Sequence, residues 1–330
     1  MSYKTMIIVV SNRNINEGRT DHQLFGEEPN TKGIDEIRLA TATYDEISQE
    51  WHLALRQEQQ LDEDRARSSI VDSSRPSQQL FTEVMEDIKV GKRKKNWVFY
   101  IHGFNQSMLD TLNACREIQT LYEVDVLTFT WPSNPGGFVT REYQQARQAA
   151  RASSNALDRT LELLGRYLSN RSLEDMRNCR ISFNLLVHSL GNYVFENFVR
   201  DPIFSDETRI FDNVIFHQAD VDNRSHTQWV DRVEHSRRVY ITLNEGDSVL
   251  KASDIINPGR LGNTLEGLNA KRAIYLDFTN GENVDRSHNF FNSQIENSTI
   301  QTIFTRLLNG QRGETVPGLT FDLSLNAFRL

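Results

Sequence analysis

Ser189 lies in Val187-His188-Ser189-Leu190-Gly191, directly after the apolar run Ile181 to Leu186 and directly before the helical pattern Asn192 to Val199. A strand, a tight turn holding a serine and then a helix lift one hydroxyl above the edge of a parallel sheet. A serine hydroxyl is a weak nucleophile at neutral pH. It attacks a carbonyl when an imidazole takes its proton and a carboxylate orients that imidazole. Both partners follow in chain order. Asp247 stands in Asn244-Glu245-Gly246-Asp247-Ser248, after the apolar run that ends at Leu243. His288 stands in Asp285-Arg286-Ser287-His288-Asn289, after the run that ends at Phe278. A loop leaving each of those strands delivers its side chain to the same sheet edge. Asp220, which with Asp222 follows an earlier strand, is the alternative acid.

Charge that develops on the attacked carbonyl oxygen needs backbone N–H donors. One is expected from Leu190, next after the serine. The other is expected from Ile101-His102-Gly103-Phe104-Asn105, where Gly103 permits a tight turn and the Phe104 amide donates. Asn105 is read as the cap of the following helix. His188 adjoins the nucleophile and points elsewhere, so it takes a supporting role, as does His102. With Gly103 and Trp131 they are the pocket candidates. The loop Ser133 to Phe138 is expected to line an acyl pocket, and Ile255 to Gly262 to form another rim. Val187 holds the position where the general motif has glycine, so the turn is expected to be somewhat open. His217, Asp220, Asp222 and His226 match no metal-ligand spacing. The chemistry above calls for no metal and no organic cofactor.

The elements that must hold these residues alternate between strand and helix. Strands are expected within the N-terminal stretch 1–10 and at 98–101, 125–130, 180–187, 213–217, 238–243 and 272–278. Helices are expected at 107–121, 141–169, 190–200, 225–234, 248–254 and 290–308, the last with Ile295, Ile300, Ile303, Phe304 and Leu307 inward. Such alternation predicts a mostly parallel sheet with helices on both faces. Residues 46–95 differ. Gln57 to Arg67 is densely polar and Ser73 to Ser77 is loop-like, which predicts two surface helices around a flexible joint. The division is an N-terminal extension of strands and charged helices over 1–95, a core over 96–310 and a C-terminal tail over 311–330, all in one structural domain.

The 330 residues carry a formal net charge of −8, and the short basic run Gly91-Lys92-Arg93-Lys94-Lys95 has no interleaved aromatics. It reads as a solvated turn, and nucleic acid is not expected as a partner. Cys115 and Cys179 form neither a disulfide framework nor a metal pair, which fits a reducing compartment. The N-terminal apolar stretch is too short for a signal peptide and reads as a buried strand. No run approaches a membrane span. A cytoplasmic protein with a small-molecule substrate is expected, its oligomeric state left open.

The set Ile101 to Asn105, Thr130-Trp131-Pro132-Ser133, Val187 to Asn192, Gln218-Ala219-Asp220-Val221-Asp222 and Asn244 to Leu250 resembles a largely uncharacterised bacterial branch of the alpha/beta-hydrolases. Gly259-Arg260-Leu261-Gly262 and His288 belong to the same resemblance, which runs over roughly 95–310 with a weaker echo at Ser11-Asn12-Arg13. It implies the α/β-hydrolase fold and a triad at Ser189, Asp247 and His288, and no particular substrate. The expected activity is hydrolysis of an ester or related acyl bond through an acyl-enzyme. A catalytically idle fold used as a binding module, and a phospholipase or lipase acting at a membrane, are the alternatives.

Overall fold

The computed structural model describes residues 5–56, 75–134, 139–169, 181–201, 204, 207–234, 236–255 and 259–330. Along the chain run β1 (Met6–Ser11), β2 (Arg13–Ile15), β3 (Phe25–Pro29), β4 (Arg38–Asp45), β5 (Glu50–Arg56), α1 (Pro76–Lys89), β6 (Asn96–Ile101), α2 (Met108–Tyr122) and β7 (Asp125–Thr130). Then follow α3 (Val139–Ala152), α4 (Ser154–Ser169), β8 (Ser182–His188), α5 (Gly191–Arg200), β9 (Asn213–His217), α6 (Thr227–Val230), β10 (Arg238–Leu243) and α7 (Ser248–Asp254). The chain finishes with β11 (Ala273–Asp277), α8 (Ser298–Leu308), β12 (Thr320–Asp322) and β13 (Ala327–Arg329).

Eleven strands form one sheet in the order β5-β4-β1-β7-β6-β8-β9-β10-β11-β13-β12. The eight from β1 to β13 in that order are parallel, and the antiparallel strands β4, β5 and β12 lie at the two edges. The central strands are apolar throughout because both faces are covered. Phe99, Ile101 and Val187 pack to one side with Leu157 and Phe195. Val98, Tyr100 and Leu186 pack to the other with Leu112 and Phe304. β2 and β3 form a separate two-stranded ribbon.

Several expected elements differ. The first surface helix expected in 46–95 is β5, an edge strand that alternates buried Trp51 and Leu53 with exposed His52 and Ala54. The single helix expected over 141–169 bends at Ser153, whose hydroxyl donates to Ala149 O (2.7 Å) and accepts from Asn12 Nδ2 (2.9 Å). Such back-bonding competes with the helical ladder and bends it. The helix expected at 225–234 is the short turn α6. The last helix starts at Ser298 rather than 290, since Asn297 caps it by accepting from Ile300 N. The expected C-terminal tail holds β12 and β13, and β13 extends the sheet beside β11. Gly91 to Lys95 is an exposed turn apart from half-buried Arg93. The joint around 57–74, Pro135 to Phe138 of the acyl-pocket loop, Cys179 and Ile256 to Pro258 of the rim lie outside the described residues. Among the described residues no helix is long and apolar enough to cross a membrane.

Candidate active site

The loops that follow β6, β8, β9, β10 and β11 leave the same edge of the sheet, the usual place for a site in a parallel α/β fold. Ser189 terminates β8 with φ +52°, a left-handed conformation that costs a non-glycine residue energy and persists only where its surroundings hold it. Its N–H donates to His217 O (3.0 Å), and its carbonyl accepts from Asn192 N (3.0 Å) and Asp220 N (3.2 Å). The Asn192 side-chain nitrogen donates to Val187 O (3.1 Å) and Ser189 O (3.0 Å), bracing both sides of the turn. The neighbouring backbone is very close. A Cβ on Gly191 would sit 2.5 Å from His102 O, and one on Gly103 would sit 2.7 Å from Ser189 Cβ. Val187 does not open the turn. Its side chain is buried in the core beside Ile101, Leu190 and Val194, and the close approaches fall on Gly103 and Gly191 instead.

His288 and Asp247 meet. His288 Nδ1 is 2.6 Å from Asp247 Oδ2, and Asp247 is fully buried. The other carboxylate oxygen accepts from Val249 N (2.9 Å) and Leu250 N (3.0 Å), so Asp247 also caps α7. With its amide nitrogen facing the acceptors, Gln218 donates to Asp247 Oδ2 and to Gly262 O, at 3.0 Å each. Asn244 Nδ2 donates to Asp285 O (3.2 Å) and Ser287 O (2.9 Å), tying the loop that carries His288 to the loop that carries Asp247. Asp220, the alternative acid, is engaged elsewhere. Tyr143 OH and Ser253 Oγ each donate to it at 2.8 Å. Burial, with the Asp220 carboxylate next in effect, pushes the Tyr143 phenol up to about 12.

Three imidazoles gather along this edge, His188 stacked on His217 and tilted against His288. The His188 ring centroid is 5.4 Å from that of His217 and 4.9 Å from that of His288. Burial drives His188 well below the usual imidazole range, and the neighbouring His288 adds to this against a hydrogen bond to the His288 backbone. His217 is lowered in the same way by burial, then by His188 and His288. Its Nδ1 lies 2.8 Å from Thr242 Oγ1, and its Nε2 accepts from Phe290 N (3.2 Å), two residues beyond His288.

Among the described residues, neither the Phe104 nor the Leu190 backbone N–H has a hydrogen-bond acceptor. Asn105 does not cap α2. It has φ +55° and donates its N–H to Ser133 O, while Ser107 caps the helix in a reciprocal box with Asp110. His102 and Trp131, expected at the pocket, have no accessible surface and brace the loop from behind. Phe104 is half-buried and packs edge-to-face on Tyr143 at 5.7 Å. Arg260, Leu261 and Gly262 are a buried strut rather than a rim, since Leu261 N donates to Val221 O and Asn244 N to Gly262 O. His217, Asp220, Asp222 and His226 are held by separate partners, His226 by Tyr275 OH (2.6 Å) and Asp222 by Arg224 N (2.9 Å). An apolar cavity lined by Leu80, Phe81, Val84 and Leu164 lies on one face of the sheet under α1 and α4, reaching from Val10 to Trp97 and Phe183.

Residues 77–285 match the model of a family described as alpha/beta hydrolase of unknown function (DUF900). The chain belongs to that family. The match takes in strands β6 to β11, the serine turn and the Asp247 loop, and joins them to the alpha/beta hydrolases as a class, without a substrate. It stops three residues short of His288 and begins well after Ser11-Asn12-Arg13. No curated protein and no solved structure matches the chain. Asn192, Gln218 and Asn244 each occupy a segment singled out from the sequence, but their tasks went unseen. Their hydrogen bonds run to backbone or carboxylate atoms whose positions only the folded chain supplies.

Proposed function

We propose that this alpha/beta hydrolase is a serine hydrolase that cleaves an ester or related acyl bond in a small molecule. The carrying observation is the 2.6 Å contact of His288 Nδ1 with Asp247 Oδ2, which leaves Nε2 as the nitrogen available to a hydroxyl. Ser189 Oγ attacks the carbonyl carbon and its proton passes to His288 Nε2. Asp247 holds the ring in the needed tautomer and stabilises its cation. The oxyanion is held by the Phe104 and Leu190 N–H groups. The intermediate collapses, His288 protonates the leaving oxygen, and an acyl-Ser189 ester remains. Water then attacks that ester with His288 as base, releasing the acid and restoring Ser189. The strained φ of Ser189 supports the same reading, since strain of this kind gathers at working residues.

A fluorophosphonate probe and short-chain nitrophenyl esters test it. The folded wild type is expected to label once and to turn over ester, and Ser189→Ala to do neither. A folded wild type that neither labels nor hydrolyses any ester of a chain-length series would sink the proposal.

A further inference from the structure

Arg13 precedes the segment matched by the family model and lies 89 residues before His102, yet its guanidinium is completely buried against the loop that carries Phe104. Nε donates to Thr130 Oγ1 (2.9 Å). One terminal nitrogen donates to Gln106 O (2.7 Å) and lies 3.5 Å from His102 Nε2. The other meets Glu27 Oε2 (2.5 Å) and Gly26 O (3.5 Å). A buried guanidinium without such partners is costly, so this fork is a strong constraint on its surroundings.

The donor directions follow from the groups themselves. A guanidinium only donates, so Thr130 Oγ1 accepts from Arg13 and turns its own proton to His102 Nε2, 3.0 Å away. The Trp131 backbone N–H aims at the same nitrogen (3.2 Å). With donors converging on Nε2, the imidazole proton sits on Nδ1 and is donated to Gly103 O at 2.9 Å. Burial, and then the Arg13 charge, push His102 down to about 3, so the ring stays neutral across the working range. Gly103 C=O and Phe104 N–H belong to one planar trans peptide and point in opposite directions. Anchoring the oxygen to His102 therefore aims the Phe104 N–H the other way. The far side of the loop is pinned as well, because Gln106 O also accepts from Ser133 Oγ (3.2 Å).

We infer that Arg13, acting through Thr130 and His102, is a positioning residue that orients the Phe104 N–H toward the oxyanion. The inference rests on the serine-hydrolase reading. It makes the N-terminal strands part of the working site rather than an appendage to it.

The test compares Thr130→Val, Thr130→Ser, Arg13→Met and Ser189→Ala in the full chain by ester kinetics, thermal melting and ¹⁵N NMR of the His102 ring. Thr130→Val removes the hydroxyl at nearly constant volume, so it reports even if Arg13→Met folds poorly. Misaiming one oxyanion donor is expected to lower kcat about tenfold or more with KM little changed, and Thr130→Ser to restore it. The wild-type ring is expected to show a protonated Nδ1, and Thr130→Val a shifted Nε2 resonance, since that nitrogen loses the hydroxyl donor. Wild-type kcat in both Thr130→Val and Arg13→Met, with Ser189→Ala inactive, overturns the relay and leaves the hydrolase reading intact. Loss that follows melting temperature alone, with the His102 ring resonances unchanged, also overturns it. A folded wild type without Ser189-dependent turnover fails the hydrolase reading and takes the relay's role in catalysis with it.

Discussion

Asp247 holds His288 Nδ1 at 2.6 Å from a carboxylate with no accessible surface, while Asp220 spends both of its oxygens on Tyr143 and Ser253. The two acids that the sequence offered are thus separated by their partners. Asp247→Asn presents an amide where the imidazole needs an acceptor and favours the wrong tautomer, so kcat is expected to fall by about 10⁴. The variant should still fold, since an asparagine oxygen can cap α7. Asp220→Asn keeps one acceptor and is expected to lose less than about tenfold. Ester turnover and probe labelling of the two variants check this ranking. The reverse order would reassign the acid.

Gln218 meets the same Asp247 oxygen as His288, at 3.0 Å. A hydrogen bond to a buried charge is worth about 1.5–3 kcal/mol, so Gln218→Leu should lower kcat roughly tenfold to a hundredfold. Substrate binding should be little changed, because Gln218 acts through the acid. A pure KM effect would place Gln218 against the substrate instead.

How much of this was legible depended on how far apart the interacting residues lie. The serine turn could be read because strand, turn and helix are contiguous from Ser182 to Arg200, and β10 and β11 announced the Asp247 and His288 loops by their apolar runs. β5 was missed although Trp51, Leu53 and Leu55 alternate, because the charged stretch beyond it dominated the reading of 46–95. β12 and β13 have three residues each, too short for a period to show. Arg13 and Gln106 are 93 residues apart, and Ser153 bends its helix partly through Asn12, 141 residues away. Polar side chains whose partners are that remote leave no local pattern.

Gly191 and Val187 flank Ser189 at equal distances in sequence and are expected to respond oppositely. Gly191→Ala would drive a methyl to 2.5 Å from His102 O, a backbone atom that cannot rotate away. Forcing the turn apart should cost about 1–3 kcal/mol and strongly reduce probe labelling. Val187→Gly restores the residue of the general motif, yet it empties a buried core position and loosens a strand. It should lower stability by more than about 1 kcal/mol and leave kcat within about threefold. Melting curves and labelling rates separate the two. A faster enzyme from Val187→Gly would mean that the valine obstructs the turn after all.

His102, His188 and His217 are all buried, and burial pushes each below the ordinary imidazole value of about 6.5. Below that value the unfolded chain takes up protons that these rings refuse in the folded state. The unfolded form therefore binds more protons, and stability must fall as the pH drops from about 6.5 toward the folded values. Each imidazole that takes up no proton in the folded state adds to that fall, by up to about 1.4 kcal/mol per pH unit. Urea unfolding at about pH 7.5, 6.5 and 5.5 should show midpoints that fall modestly over the first interval and further over the second. His217→Gln removes one titrating ring and should flatten the lower interval, even where it weakens the fold at every pH. Midpoints that stay level to pH 5.5 would mean that these rings accept protons in place, and the neutral stack beside His288 would not exist.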